Sequence, residues 1–195
     1  MPYRSTRDAR RALRELALAQ QGYFTAKQAA GVGYAKQHLE YHTKAGNIER
    51  VDHGIYRLPE VASSALGELV RWSMWSRGRD GRPRGVVSHG SALAVHGLAD
   101  WPADGAVHLT VPPEFRKSPP VGVVLHIDTL AEEEIEARAG FTVVRRERAL
   151  ADVRQEREAP HLQPLKIDVE APEEEALERP TVNTTKRVEW ASWMD

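Results

Sequence analysis

The 195-residue chain is 41% hydrophobic and carries 27 Lys+Arg, 28 Asp+Glu and no cysteine. That length suits one to two domains with a real core. The missing cysteines exclude disulfides and thiolate metal sites, and no apolar run approaches the roughly 18 residues of a membrane span, so the reading expects a cytoplasmic protein without membrane partners.

The near-zero net charge hides an asymmetry. Residues 1–59 hold 10 Lys+Arg against 5 Asp+Glu, whereas residues 127–195 hold 10 against 17. A basic end suits nucleic acid and an acidic end suits a different partner.

In chain order, Ser5 or Thr6 can cap a first helix that runs to about Gln21. Ala9, Leu13, Leu16, Ala17 and Gln20 share one face of it. Arg7, Arg10, Arg11 and Arg14 make its first turns basic, either as phosphate contacts or as a solvated face. Thr25-Ala26-Lys27-Gln28 fits a capping box, so a second helix starts at Ala26. Gly31-Val32-Gly33 ends it, with Gly31 expected in the left-handed conformation. A third helix is predicted from about Tyr34 to Ala45, with Ala35, Leu39 and His42 facing the core and Gly46-Asn47 as its stop. Ile48–Val51 and Ile55–Leu58, split by Asp52-His53-Gly54, read as a hairpin.

Two short helices and a hairpin in this order make a winged helix-turn-helix, which lays one helix in a DNA groove and braces it with a wing. The DNA-binding residues expected are Tyr34, Lys36, Gln37, Tyr41 and Lys44 on the recognition helix. Arg50, His53 and Arg57 on the wing would hold phosphate, with Thr25 and Lys27 at the N-terminus of the second helix. Gln37 suits adenine and Lys36 guanine. A winged helix used only for protein contacts is the alternative.

Beyond Pro59, a helix over Val61–Arg77 carries Ala62, Ala65, Leu66, Leu69 and Trp72. Trp72, Met74 and Trp75 are too many large groups for one stripe, so this helix is expected between two packed partners. Ser76–Gly85 is a basic, glycine-rich loop without the Gly-Lys-Ser/Thr ending of a phosphate-binding P-loop, and it reads as a flexible surface loop, with DNA-backbone contact as the alternative. Strands are predicted at Val86–Val87, Val107–Val111, Val121–Ile127 and Phe141–Val144. Helical segments are predicted after Ser88, over Ala131–Ala137, and over Arg146–Val153 with Ala149, Leu150 and Val153 inward. The fold class is therefore α+β. The expected division is a winged helix-turn-helix over 1–59, a small mixed domain over 60–155, and an acidic, proline-punctuated tail over 156–195 that carries Trp190 and Trp193.

No active site emerges. His89 and His96 lie seven residues apart and can share a face, but no third ligand has a recognisable spacing. Ser88 and Ser91 lack a Gly-x-Ser-x-Gly setting. Asp168 and Glu170 are followed by Ala171 where a nuclease site usually has lysine. No catalytic residue, metal or cofactor is expected.

Two motifs carry a family resemblance. The first runs from Gly22-Tyr23-Phe24-Thr25-Ala26-Lys27-Gln28-Ala29 through Gly46-Asn47-Ile48-Glu49-Arg50-Val51 to Gly54-Ile55-Tyr56-Arg57-Leu58-Pro59. The second is Ser88-His89-Gly90-Ser91-Ala92-Leu93-Ala94-Val95-His96-Gly97-Leu98, followed by His108-Leu109-Thr110-Val111-Pro112. The later Phe141-Thr142-Val143-Val144 and Arg148-Ala149-Leu150-Ala151-Asp152 segments fit the same pattern. Together they resemble the AbiEi antitoxins of bacterial type IV toxin–antitoxin, or abortive-infection, systems, over roughly residues 8–153. The resemblance implies a phage-defence antitoxin that binds double-stranded operator DNA, as a possible dimer, and represses its own operon. It also implies that the antitoxin counteracts a nucleotidyltransferase-like toxin. Alternatives are a plain winged-helix regulator without a toxin, or an interaction module that does not bind DNA specifically.

Overall fold

Helix α1 spans Thr6–Leu18 and buries Ala9, Leu13 and Ala17 on one side, as its periodicity predicts. The computed structural model describes residues 6–158; Ser5, the 159–195 part of the expected tail with Trp190 and Trp193, and the Asp168–Glu170 pair lie outside the described residues. Strand β1 (Tyr23–Thr25) leads into helix α2 (Ala26–Gly31). Thr25 and Gln28 form the reciprocal capping box there, with the Thr25 N–H donating to Gln28 Oε1 at 2.8 Å and the Gln28 N–H to Thr25 Oγ1 at 3.1 Å.

Helix α3 covers Lys36–Lys44, shorter than predicted, and Ala35 caps it without a side-chain bond. The turn before it differs from expectation in two ways. The left-handed residue is Gly33, at φ 87°, and not Gly31. Tyr34 points inward and Ala35 outward. The reason is size, because the larger ring fills the gap between α1 and α3 whereas the small alanine can end the turn in solvent.

Strands β2 (Glu49–Asp52) and β3 (Ile55–Arg57) form the hairpin, and β3 also pairs with β1, giving a three-stranded antiparallel sheet in the order β1-β3-β2. Ala9, Leu13, Ala17, Phe24, Ala29, Tyr34, Leu39, Ile48 and Leu58 make one core beneath this sheet and its helices. The order is that of a winged helix-turn-helix.

Helix α4 runs over Ala65–Trp75 and starts later than predicted, because Ser64 caps it by accepting from the Gly67 N–H. Leu69, Val70, Trp72 and Met74 are buried, whereas Leu66 is exposed. The helix touches β1 and β3 on one side, and on the other β4 (Val86–Val87) and β8 (Phe141–Val144). It therefore lies between two sheets, as its excess of large apolar residues requires.

Strands β5 (Val107–Val111), β6 (Val123–Ile127) and β7 (Ile135–Arg138) complete a mixed five-stranded sheet, ordered β6-β5-β4-β8-β7. The stretch predicted as helical over Ala131–Ala137 is a single 3₁₀ turn, Glu132–Glu134, that passes directly into β7. Edge pairing with β8 (Glu136 opposite Val143) overrides the local preference of an acidic, alanine-rich run. Helix α5 (His89–Val95) packs on β5 and on helix α6 (Arg146–Glu158). In α6 Ala149 and Asp152 are buried and Val153 packs half-buried against the core, whereas Leu150, also expected inward, is exposed. That helix runs to Glu158, past the point where the tail was expected to begin.

Candidate nucleic-acid interface

Helix α3 splits cleanly between its two sides. Leu39 and His42 are buried, while Lys36, Gln37, Glu40, Tyr41 and Lys44 form a continuous exposed face at helical spacing. Tyr41 is 66% exposed, a large ring with no core to serve. Lys36 meets Glu40 at 3.6 Å, but both side chains are solvated, so this pair is weak and leaves Lys36 able to swing onto a ligand. The face thus offers two ammonium groups, one amide able to make paired hydrogen bonds and one aromatic edge, a set that can read base edges in a major groove.

One contact ties α3 to the wing, and a second ties the wing to α2. His42 Nδ1 accepts from Asn47 Nδ2 at 3.3 Å, joining the end of α3 to the residues that open the wing. Burial, with Arg10 and His38 nearby, pushes the His42 imidazole down to about 4, so the ring is neutral and can accept that bond. The Ala26 N–H donates to Gly54 O at 3.0 Å and so ties the wing to the start of α2.

The wing is short, and its tip is anchored from behind. Arg77, just past α4, donates Nη2 to His53 O at 2.7 Å and Nη1 to Met74 O at 2.7 Å. Gly54 sits at φ 66°, and a Cβ there would stand 3.0 Å from Arg77 Nη2, so both the turn and the latch call for glycine. His53 at the tip and Arg50 on β2 remain exposed.

Three other expected contacts are committed elsewhere. Tyr34 is only 2% exposed and belongs to the core, so it offers no surface to DNA. Thr25 is buried and its hydroxyl serves the helix cap, which explains the sequence signal without a phosphate. Arg57 pairs with Glu49 across the hairpin at 3.0 Å and donates to Ser63 Oγ at 2.5 Å. On α1, Arg11 and Arg14 face Glu15 and Glu60, as a solvated charged face would.

Lys27 leads to the basic loop over Ser76–Gly85. Its Nζ donates to the Asp80 carbonyl, which docks the basic loop after α4 against α2. Asp80 in turn binds the Arg82 N–H at 3.0 Å and Arg84 Nη2 at 3.2 Å; that backbone hydrogen bond first, and then the surrounding cations, hold its carboxyl below the usual range. Ser76 Oγ accepts from the Arg84 and Gly85 N–H groups and donates to Ser73 O, fixing the loop's base. Arg79, Arg82 and Arg84 are exposed on this docked loop and extend the cationic surface beside α2. Their density was the available signal; what hid them was the lack of any sequence cue to the Lys27 contact.

A second group of side chains gathers on the five-stranded sheet. His96 does not join His89: its Nε2 bonds Val144 O at 2.8 Å. His89 instead stacks on His126, with ring centroids 3.4 Å apart, and His126 Nε2 lies 2.9 Å from His108 Nδ1. Burial first, and then the neighbouring rings, push His126 down to about 2 and His89 to about 4. Asp152 is raised by burial, against the pull of Arg148, which bonds it at 2.6 Å. Arg148 also pairs with Glu134 and Asp128.

Residues 11–59 match a family described as a transcriptional regulator, the AbiEi antitoxin. The match covers the winged helix-turn-helix from mid-α1 through β3 and ends before α4. No curated protein matches the chain.

Proposed function

We propose that this chain, whose residues 11–59 match the family described as an AbiEi antitoxin transcriptional regulator, is an autorepressing antitoxin. It binds operator DNA upstream of its own operon and counteracts a nucleotidyltransferase-like toxin. The supporting observation is the exposed Lys36-Gln37-Tyr41-Lys44 face of α3, set beside a wing that is latched from behind. A preorganised helix and wing dock with little ordering cost, which favours specific binding over loose charge attraction.

In this reading residues 1–59 form the DNA-reading unit. Gln37 and Lys36 face base edges, Tyr41 packs against sugar or a thymine methyl, and Lys44, Arg50 and His53 face phosphates. Arg79, Arg82 and Arg84 add phosphate contacts outside the family match. Residues 60–155 form the unit that meets the toxin, and the protein works in the cytoplasm, as a dimer on a two-fold operator. The toxin role rests on the family description and on the sequence resemblance, with no regulatory enzyme activity required of this chain.

A promoter-reporter fusion carrying the upstream DNA tests the regulatory half. Wild-type protein represses it, and Gln37→Ala or Tyr41→Ala relieves repression without lowering protein level. Full repression by both variants would overturn the assignment of α3 as the reading helix. Co-expression with the adjacent gene tests the other half: rescue from growth arrest is expected, and arrest that persists would leave a regulator without a toxin.

A further inference from the structure

The fold brings three of the chain's eight histidines to one place that the DNA-binding reading does not use. His108 on β5 and His126 on β6 sit on the same face of the sheet. Those strands pair in parallel with Thr110 opposite His126, and residues two apart share a face. His108 Nδ1 and His126 Nε2 stand 2.9 Å apart. Glu156, on the last turn of α6, brings a carboxylate oxygen within 4.8 Å of both ligating nitrogens. Two imidazoles and a carboxylate are the donor set of open first-row metal sites.

The surroundings point the same way. Tetrahedral zinc with bonds of about 2.0–2.1 Å holds two nitrogens roughly 3.3 Å apart, so the two rings need to part by only a few tenths of an ångström. Glu156 is exposed and can change rotamer to close the third bond. His89, whose ring stacks on His126, holds a left-handed backbone at φ 50°, a conformation rare for a non-glycine residue and concentrated at functional sites. Asp152, one turn before Glu156 on α6, is 5% exposed. Its Oδ2 has no hydrogen-bond partner among the described residues and lies 3.8 Å from His89 Nδ1. Asp152 thus backs His89, the ring on which the His126 imidazole stacks.

We propose that His108, His126 and Glu156 bind one divalent first-row transition ion, zinc by preference, with His89 and Asp152 as its supporting shell. Three protein ligands leave a coordination position open to solvent or to a partner's side chain. The site lies on the sheet of the unit proposed to face the toxin, but it stands on its own geometry.

The test uses the full chain, stripped of metal and titrated with cobalt(II) and with zinc(II). The expected result is saturation at one equivalent, with the visible bands of four- or five-coordinate cobalt that zinc displaces, and a rise in Tm. Glu156→Gln, at an exposed position that leaves the fold intact, weakens zinc by at least ~10-fold, and His126→Gln by more than ~100-fold. His38→Gln, on the recognition helix, leaves metal affinity unchanged. Absence of saturable one-equivalent binding overturns the proposal. So does equal binding by wild type and Glu156→Gln, which decides the matter even if His126→Gln fails to fold.

Discussion

Replacing Arg77 by methionine separates the wing's latch from the rest of the fold. Methionine keeps the aliphatic stem and removes the two guanidinium bonds, to Met74 O and to His53 O, each 2.7 Å long. The first is half-buried and charge-assisted, so its loss costs on the order of 1.5–3 kcal/mol. The second lies in solvent, where water replaces it, and contributes roughly 0–1 kcal/mol. Burial lowers the arginine's own pKa, a sign that holding the cation there costs something and that the net loss lies toward the low end. The expected destabilisation is therefore about 1–3 kcal/mol, read as a lower urea midpoint at unchanged m-value. Amide exchange should rise selectively at Gly54 and Ile55, because the tip loses the Arg77 bridge to the end of α4. Specific DNA affinity should fall more than affinity for random duplex, since ordering the wing is then charged to binding. A variant as stable as wild type, with unchanged exchange in the wing, would refute the latch.

Lys44→Ala should weaken all DNA sites about equally and reduce the slope of log K against log salt by roughly 0.9. Arg57→Ala should leave that slope unchanged, because Glu49 and Ser63 already hold the guanidinium; a reduced slope for Arg57→Ala would show that its side chain reaches phosphate. His42 should titrate near pH 4 by NMR of its ring protons, against about 6.5 in the unfolded chain. The unfolded state then takes up the proton first. The His42 contribution to stability is full above about pH 6.5 and is lost as pH falls toward 4, by up to about 3 kcal/mol. A His42 midpoint near 6.5 would contradict the buried neutral ring.

The parts of the fold visible in the sequence were those set by local chemistry. The Thr25–Gln28 capping box, the strand over Val107–Val111 and the position of α4 between two packed partners all follow from residues close in the chain. The failures share a cause. Tyr34 and Ala35 exchanged places because helical spacing fixes which residues share a face but not which of two neighbours at a helix start turns inward. The Glu132–Arg138 stretch became a turn and a strand because β8 was available as a partner, which no local pattern reveals. The candidate interface was half legible. Lys36, Gln37, Tyr41, Lys44, Arg50 and His53 lie on the surface, whereas Thr25, Arg57 and Lys27 found closer partners. The histidine cluster could not be found from spacing, since His89, His108 and His126 are joined only by strand pairing and the packing of α5.

The central claim, specific operator recognition, is tested most directly by fluorescence anisotropy. The full chain is titrated against the DNA upstream of its gene and against a scrambled duplex, at two salt concentrations. A preference of ~10³ or more for the upstream DNA, persisting at the higher salt, is the expected result. Equal affinities for the two duplexes, both collapsing as salt rises, would contradict it and reduce the basic face of α3 to nonspecific attraction.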